Sequence, residues 1–239
     1  MARDLPPSSP FAGDDGSADS HLGPALALPD QDERLRAVAD ALARARLLVP
    51  VVAHRDERSG EGEAVAAGAR GTGEKQASAA MVTVATPDGR SAMPVFSGIA
   101  ALHAWRPDAR PIPVPGPRAA LASVTEADGL LVLDPGGPVT VLVPRPAVWA
   151  IARGQQWVPP EDDEQLRAQV SGALGTVPGV KAVDLRAGPG GVTEVLLGVR
   201  EGLSRAQVAQ ITTAAGQELA RCDLVAERID SVQLRLRAC

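Results

Sequence analysis

Short apolar runs in this chain are separated by turn signals that leave the backbone little choice. Pro87-Asp88-Gly89 stands between Met81-Val82-Thr83-Val84-Ala85 and Ser91 to Phe96, and Asp134-Pro135-Gly136-Gly137 between Leu130-Leu131-Val132-Leu133 and Val139 to Val143. Proline sets φ, and Asp and Gly tolerate the left-handed region, so each run turns back on its partner as a hairpin. Helical spacing flanks them. Leu35, Val38 and Leu42 repeat along Asp32 to Leu47; Gly98 to Trp105, Ala119 to Thr125 and Pro146 to Arg153 follow, the last stopped by Gly154. Leu47 to Ala53 reads as a buried strand, and Ile112-Pro113-Val114-Pro115 as an edge strand, since two of its residues lack a backbone donor.

The pattern restarts after Pro159-Pro160. A helix over Glu161 to Leu174, strands at Val180 to Arg186 and Thr193 to Arg200 joined by the Gly188 to Gly191 turn, and a helix opened by a Ser204/Gln207 capping box lead to a last strand, Ser231 to Arg237. The fold class is therefore α+β: a mixed β-sheet with helices over residues 32–158, then a smaller α-β-β-α-β unit over residues 159–239 with a three-stranded antiparallel sheet. Residues 1–31, rich in Pro, Ser, Gly and Asp without period, read as a disordered leader, and residues 54–78, rich in Gly, Glu and Arg, as a mobile insertion.

Among 239 residues there are 3 His, 2 Cys and no Tyr, and none gather at a spacing that nucleophilic or metal chemistry requires, which points away from an enzyme, a cofactor and a metal. A net charge of -5 gives no general attraction to nucleic acid, and no apolar stretch approaches the roughly 20 residues of a membrane span. With no basic flank leading into an apolar run at the N-terminus and no partner at a useful spacing for Cys222 or Cys239, the expected compartment is a reducing cytoplasm.

Several local groupings read as structure rather than chemistry. Gly68 to Lys75 has P-loop glycine spacing but carries Glu74 where the lysine belongs, and reads as a flexible loop. His54 with Asp56 and Glu57 reads as a solvated charge cluster. Glu161 to Glu164 reads as carboxylates offsetting a helix macrodipole, and Cys222 as core on the face of Leu219. Trp105 and Trp149 read as anchors that pack helices on the sheet, and Trp157, in the linker, fits core and interface equally.

Glu74-Lys75 through Ser78, Met81 and Val82 to Pro87-Asp88-Gly89-Arg90, then Pro94-Val95-Phe96, Leu102 and Trp105, resemble the N-terminal domain of the SseB family, as does Leu131-Val132-Leu133-Asp134-Pro135-Gly136-Gly137-Pro138. The tail resembles the SseB C-terminal domain, and the Arg-rich first helix with the Pro-rich Arg110 to Arg118 resembles actinobacterial members. The Gly60 to Gly73 insertion departs from the pattern. The resemblance carries no catalytic residue and implies a family without an assigned biochemical role. From it and from the residues the expected function is a non-enzymatic cytoplasmic interaction or regulatory module with an unknown protein partner; the alternative is a sensor of an amino acid or related metabolite, suggested by the family's serine-sensitivity name. The candidate interaction residues are Lys75, Arg90 and Trp105, a cationic rim around an apolar anchor. Lys75 and Arg90 replaced by Glu are expected to lose partner capture without a lower melting temperature.

Overall fold

The computed structural model describes residues 11–52 and 82–239. Its first unit is built on a four-stranded sheet of order β2-β3-β5-β6, with β2 at Val84–Ala85, β3 at Ser91–Val95, β5 at Leu131–Leu133 and β6 at Val141–Val143. The two turn signals make antiparallel pairs, β2 with β3 and β5 with β6, while β3 and β5 run parallel, so the sheet is mixed. A parallel pair needs a long crossover. Here it contains α3 (Ile99–Trp105), β4 (Arg110–Pro115) and α4 (Gly116–Glu126).

Among the described residues β4 pairs with β1 (Arg46–Val51) alone, and its prolines explain why: Pro111, Pro113 and Pro115 have no N–H to offer a further strand. Reciprocal backbone hydrogen bonds of 2.9 Å between Leu48 and Phe96 join β1 to the end of β3. The helices α2 (Gln31–Leu42), α4 and α5 (Arg145–Ala152) cover the core with Leu35, Val38, Leu42, Ala119, Ala120, Ala147, Val148 and Ile151. Strand alternation divides the sheet between two faces. Met93, Val95, Leu131, Leu133, Val141 and Val143 enter this core, while Val84, Ala92, Val132 and Leu142 form a small apolar patch on the other side.

The second unit has its own cluster of buried residues, drawn from 166–229. It runs α6 (Glu164–Gly175), β7 (Val180–Ala187), β8 (Thr193–Val199), α7 (Arg205–Ala220), α8 (Asp223–Arg228) and β9 (Val232–Ala238). The Ser204/Gln207 capping box opens α7 as its spacing implies. The sheet is three-stranded, of order β7-β8-β9, and β7 and β8 are antiparallel; β9, however, lies parallel to β8. The physical reason is the connection: a tight Gly188 to Gly191 turn reverses the chain, whereas two helices between β8 and β9 bring it back to the same starting end.

Other boundaries differ for reasons of tertiary contact. Residues 11–31 fell within the expected disordered leader, yet Leu22 and Ala25 of α1 (Leu22–Leu26) are buried in the main core, Asp19 accepts from the Arg46 N–H (2.9 Å), and Asp14 pairs with the Arg46 guanidinium (2.8 Å). A few isolated apolar residues against a preformed surface suffice, and they carry no period. The helix expected from Glu161 starts at Glu164, because Asp163 adopts an extended backbone and caps it, its carboxylate accepting from Leu166 N–H (3.0 Å). Cys222 is the partly exposed N-cap of α8 rather than a core residue of α7. Met81, the expected insertion 54–78, the Gly68 to Lys75 loop and His54 lie outside the described residues.

Candidate ligand cleft

The apolar patch of Val84, Val132 and Leu142 is the floor of a cleft of about 580 Å³. The first unit supplies one wall from the hairpin turn Thr86 to Arg90 and from the Pro135-Gly136 turn, and another from the start of α2; the second unit supplies Pro189 to Val192 and the Asp230-Ser231 approach to β9. The cleft is apolar along its floor and charged at one end.

That charged end is built by the first hairpin turn. Gly89 (φ 86°) allows the reversal, and its N–H donates to Thr86 O (2.9 Å). The Thr86 hydroxyl donates to the Asp88 carboxylate, and this bond, with a second from Arg90 Nε at 2.7 Å, holds the Asp88 carboxyl down to about 2. Arg90 then reaches across to the second unit. Its Nη1 and Nη2 donate to the two oxygens of Asp230 at 2.8 and 2.9 Å, and Asp230 has a side chain only 5% exposed. Arg145 closes on the same carboxylate from α5, Nε at 3.7 Å, while its Nη2 donates to the Ala226 carbonyl (2.8 Å). Two guanidinium groups thus bracket one buried carboxylate.

A second seam also starts from α2. Arg36 donates to Glu161 (2.5 Å) and Asp162 (2.6 Å), so these two carboxylates, expected to offset the dipole of α6, instead join the units.

The Asp134 turn organises the far edge of the sheet. Asp134 adopts φ 50°, and its buried carboxylate accepts from both the N–H (2.8 Å) and the hydroxyl (2.7 Å) of Ser97. Burial pushes the Asp134 carboxyl above its ordinary range, against those two bonds. Gly136 of the same turn lies beside the indole of Trp105.

Two of the three candidate residues, Arg90 and Trp105, are among the described residues. Lys75 lies outside the described residues. Arg90 spends its guanidinium on Asp88 and Asp230, and its expected replacement by Glu without loss of stability does not fit that pairing. Trp105 is half-buried with its ring 5.3 Å from Phe96 and the Arg106 guanidinium 5.2 Å from its centroid. Asp230 and the Pro189 to Val192 turn, which complete the cleft, had no sequence signal of proximity to Arg90. Among the described residues no group of three or more His, Cys, Asp or Glu is placed to hold a metal ion, and no helix is long and apolar enough to cross a membrane.

The family model of the SseB protein N-terminal domain matches residues 24–150, more than half of the chain. The chain belongs to the SseB family. The matched SseB region spans α2 to most of α5 and so includes the whole four-stranded sheet, both turn signals, and Arg90 and Asp134. The second unit lies beyond it. A solved structure titled "MamM-CTD H264A" is similar at 26% identity over 32% of this chain and 96% of that chain, with a TM-score of 0.26, a likeness too slight to carry an argument. No curated protein matches.

Proposed function

We propose that this SseB-family chain is a non-enzymatic, cytoplasmic regulatory protein that binds a small metabolite in the cleft between its two units, the second unit being of the SseB C-terminal type. The observation that carries this reading is the cleft itself, 580 Å³ in volume with an apolar floor and an ionic end contributed by both units. Small-molecule sites typically span about 300–1,000 Å³ and combine an apolar lining with a few placed polar groups. A ligand such as an amino acid has the matching chemistry, an apolar body for Val84, Val132 and Leu142 and an ammonium for the half-exposed Asp88 carboxylate, while Arg90 and Asp230 stay paired with each other. Because the walls come from both units, a bound ligand stabilises their apposition, which is how occupancy would be transmitted to a partner.

Thermal unfolding of the full chain against a panel of amino acids and nucleotides tests this. Saturable stabilisation by one ligand, lost in a Leu142→Trp variant that fills the cleft from its floor, is the expected result. A flat response across the panel, or stabilisation that Leu142→Trp leaves intact, overturns it.

A further inference from the structure

Between α5 and α8 runs a second groove of about 470 Å³, on residues distinct from the cleft apart from its edge at the Arg145 ion pair. Its border is the segment Gln155 to Val158, which belongs to no helix or strand. The Gln155 N–H donates to Ala150 O (2.8 Å), but the backbone N–H and C=O groups of Gln156, Trp157 and Val158 make no hydrogen bond to any described residue. Such a row of unengaged donors and acceptors is what an added strand pairs with. Beside it lie apolar residues: Val158 is 50% exposed, and Trp149 and Trp157 are among the residues that line the groove.

The charges say what kind of strand. Arg145 and Arg228 are committed, the first to Asp230 and Ala226 O, the second to Asp163 (2.7 Å) and Gln165 (3.1 Å). Arg153 is not. Its guanidinium stacks 4.9 Å from the Trp149 ring centroid and has no carboxylate partner among the described residues. Glu227, at the α8 side of the groove, is the lining carboxylate without a partner among the described residues, and the five charged lining side chains sum to a slight excess of cation. Arg stacked on an indole is already oriented and partly desolvated, which favours a bidentate carboxylate contact.

We propose that this groove takes an extended segment of a partner protein that alternates apolar and acidic residues, its backbone pairing with Gln156 to Val158, its apolar side chains on Trp149 and Val158, and a carboxylate on Arg153. A lone small anion would use Arg153 and leave the backbone and the exposed Val158 side chain unanswered. The site is independent of the cleft, and its failure leaves the cleft reading untouched.

The test uses the full chain and a fluorescein-labelled peptide, Val-Glu-Val-Glu-Val, followed by anisotropy. Saturable binding, weakened about tenfold or more by Arg153→Glu and by Val158→Pro, which removes one backbone donor at an exposed position, is the expected result. Both variants are checked to melt as the parent does, and the Val-Lys-Val-Lys-Val peptide serves as the charge control. Absence of saturable binding, equal binding of the lysine peptide, full competition by citrate or inorganic phosphate, or unchanged affinity in either variant overturns the proposal.

Discussion

Arg90 and Asp230, 140 residues apart in the chain, meet in a two-pronged ion pair at 2.8 and 2.9 Å across the seam between the two units. Asp230 is nearly buried and Arg90 is 30% exposed, so the pair is shielded from solvent on one side only. Arg90→Ala is expected to destabilise the chain by about 1–2 kcal/mol, less than a fully buried pair would lose, because Arg145 still faces Asp230. Urea unfolding of Arg90→Ala, Asp230→Ala and the double variant measures the coupling. A coupling indistinguishable from zero would mean that the two units are held by other contacts.

Acid should act on two carboxylates in opposite directions. Burial raises Asp134 above its ordinary value, so its contribution to stability is fully present below about pH 3.9 and is lost as pH rises through the raised folded value. Asp163 is the reverse: although burial pushes it up, the Leu166 N–H and Arg228 hold it below its ordinary value, so its contribution is present above about pH 3.9 and is lost as pH falls through the lowered one. Comparing denaturant midpoints from pH 3 to pH 7, Asp134→Asn should gain on the parent as pH rises, and Asp163→Asn should lose ground. Parallel curves for Asp134→Asn would show that its carboxyl titrates alike in folded and unfolded chains.

Gly116 opens α4 with its Cα pressed against the end of α2. A Cβ there would stand 1.7 Å from the Leu42 carbonyl oxygen, a backbone atom that cannot swing aside. Gly116→Ala should therefore cost about 3 kcal/mol or more, read as a lower melting temperature, whereas Gly172→Ala, which meets nothing within 4 Å on α6, should be neutral or stabilising.

Phe96, fully buried, is the floor on which Trp105 rests. Phe96→Ala should cost about 3–5 kcal/mol through the cavity it leaves. If Trp105 is anchored mainly by this ring, its emission shifts to the red in the variant; an unshifted spectrum, read with Trp149 and Trp157 each replaced by Phe, would place the anchoring on Leu102 instead.

Local chemistry made most of the elements legible. Pro87-Asp88-Gly89 and Asp134-Pro135-Gly136-Gly137 demanded reversals because few residues tolerate the dihedrals involved, and both hairpins stand where those residues stand. Prolines along 111–115 restricted that strand to an edge, and Ser204 with Gln207 marked the start of α7 to the residue. Each of these is settled within a few positions of the chain. The ordering of residues 11–31, the capping turn of Asp163 and the parallel seat of β9 depend instead on surfaces assembled from distant segments.

The chain by itself determined the α+β class, the two hairpins and the family resemblance of its first unit, because φ restriction, helix capping and apolar period act over short range. Only the tertiary structure decided that Arg90 answers Asp230 and Arg36 answers Glu161 and Asp162, that one face of the first sheet floors a cleft, and that the backbone of Gln156 to Val158 has no partner among the described residues. One arginine is like another in a sequence rich in them, and a carboxylate's partner is chosen by proximity, which exists only once the two units have folded and met.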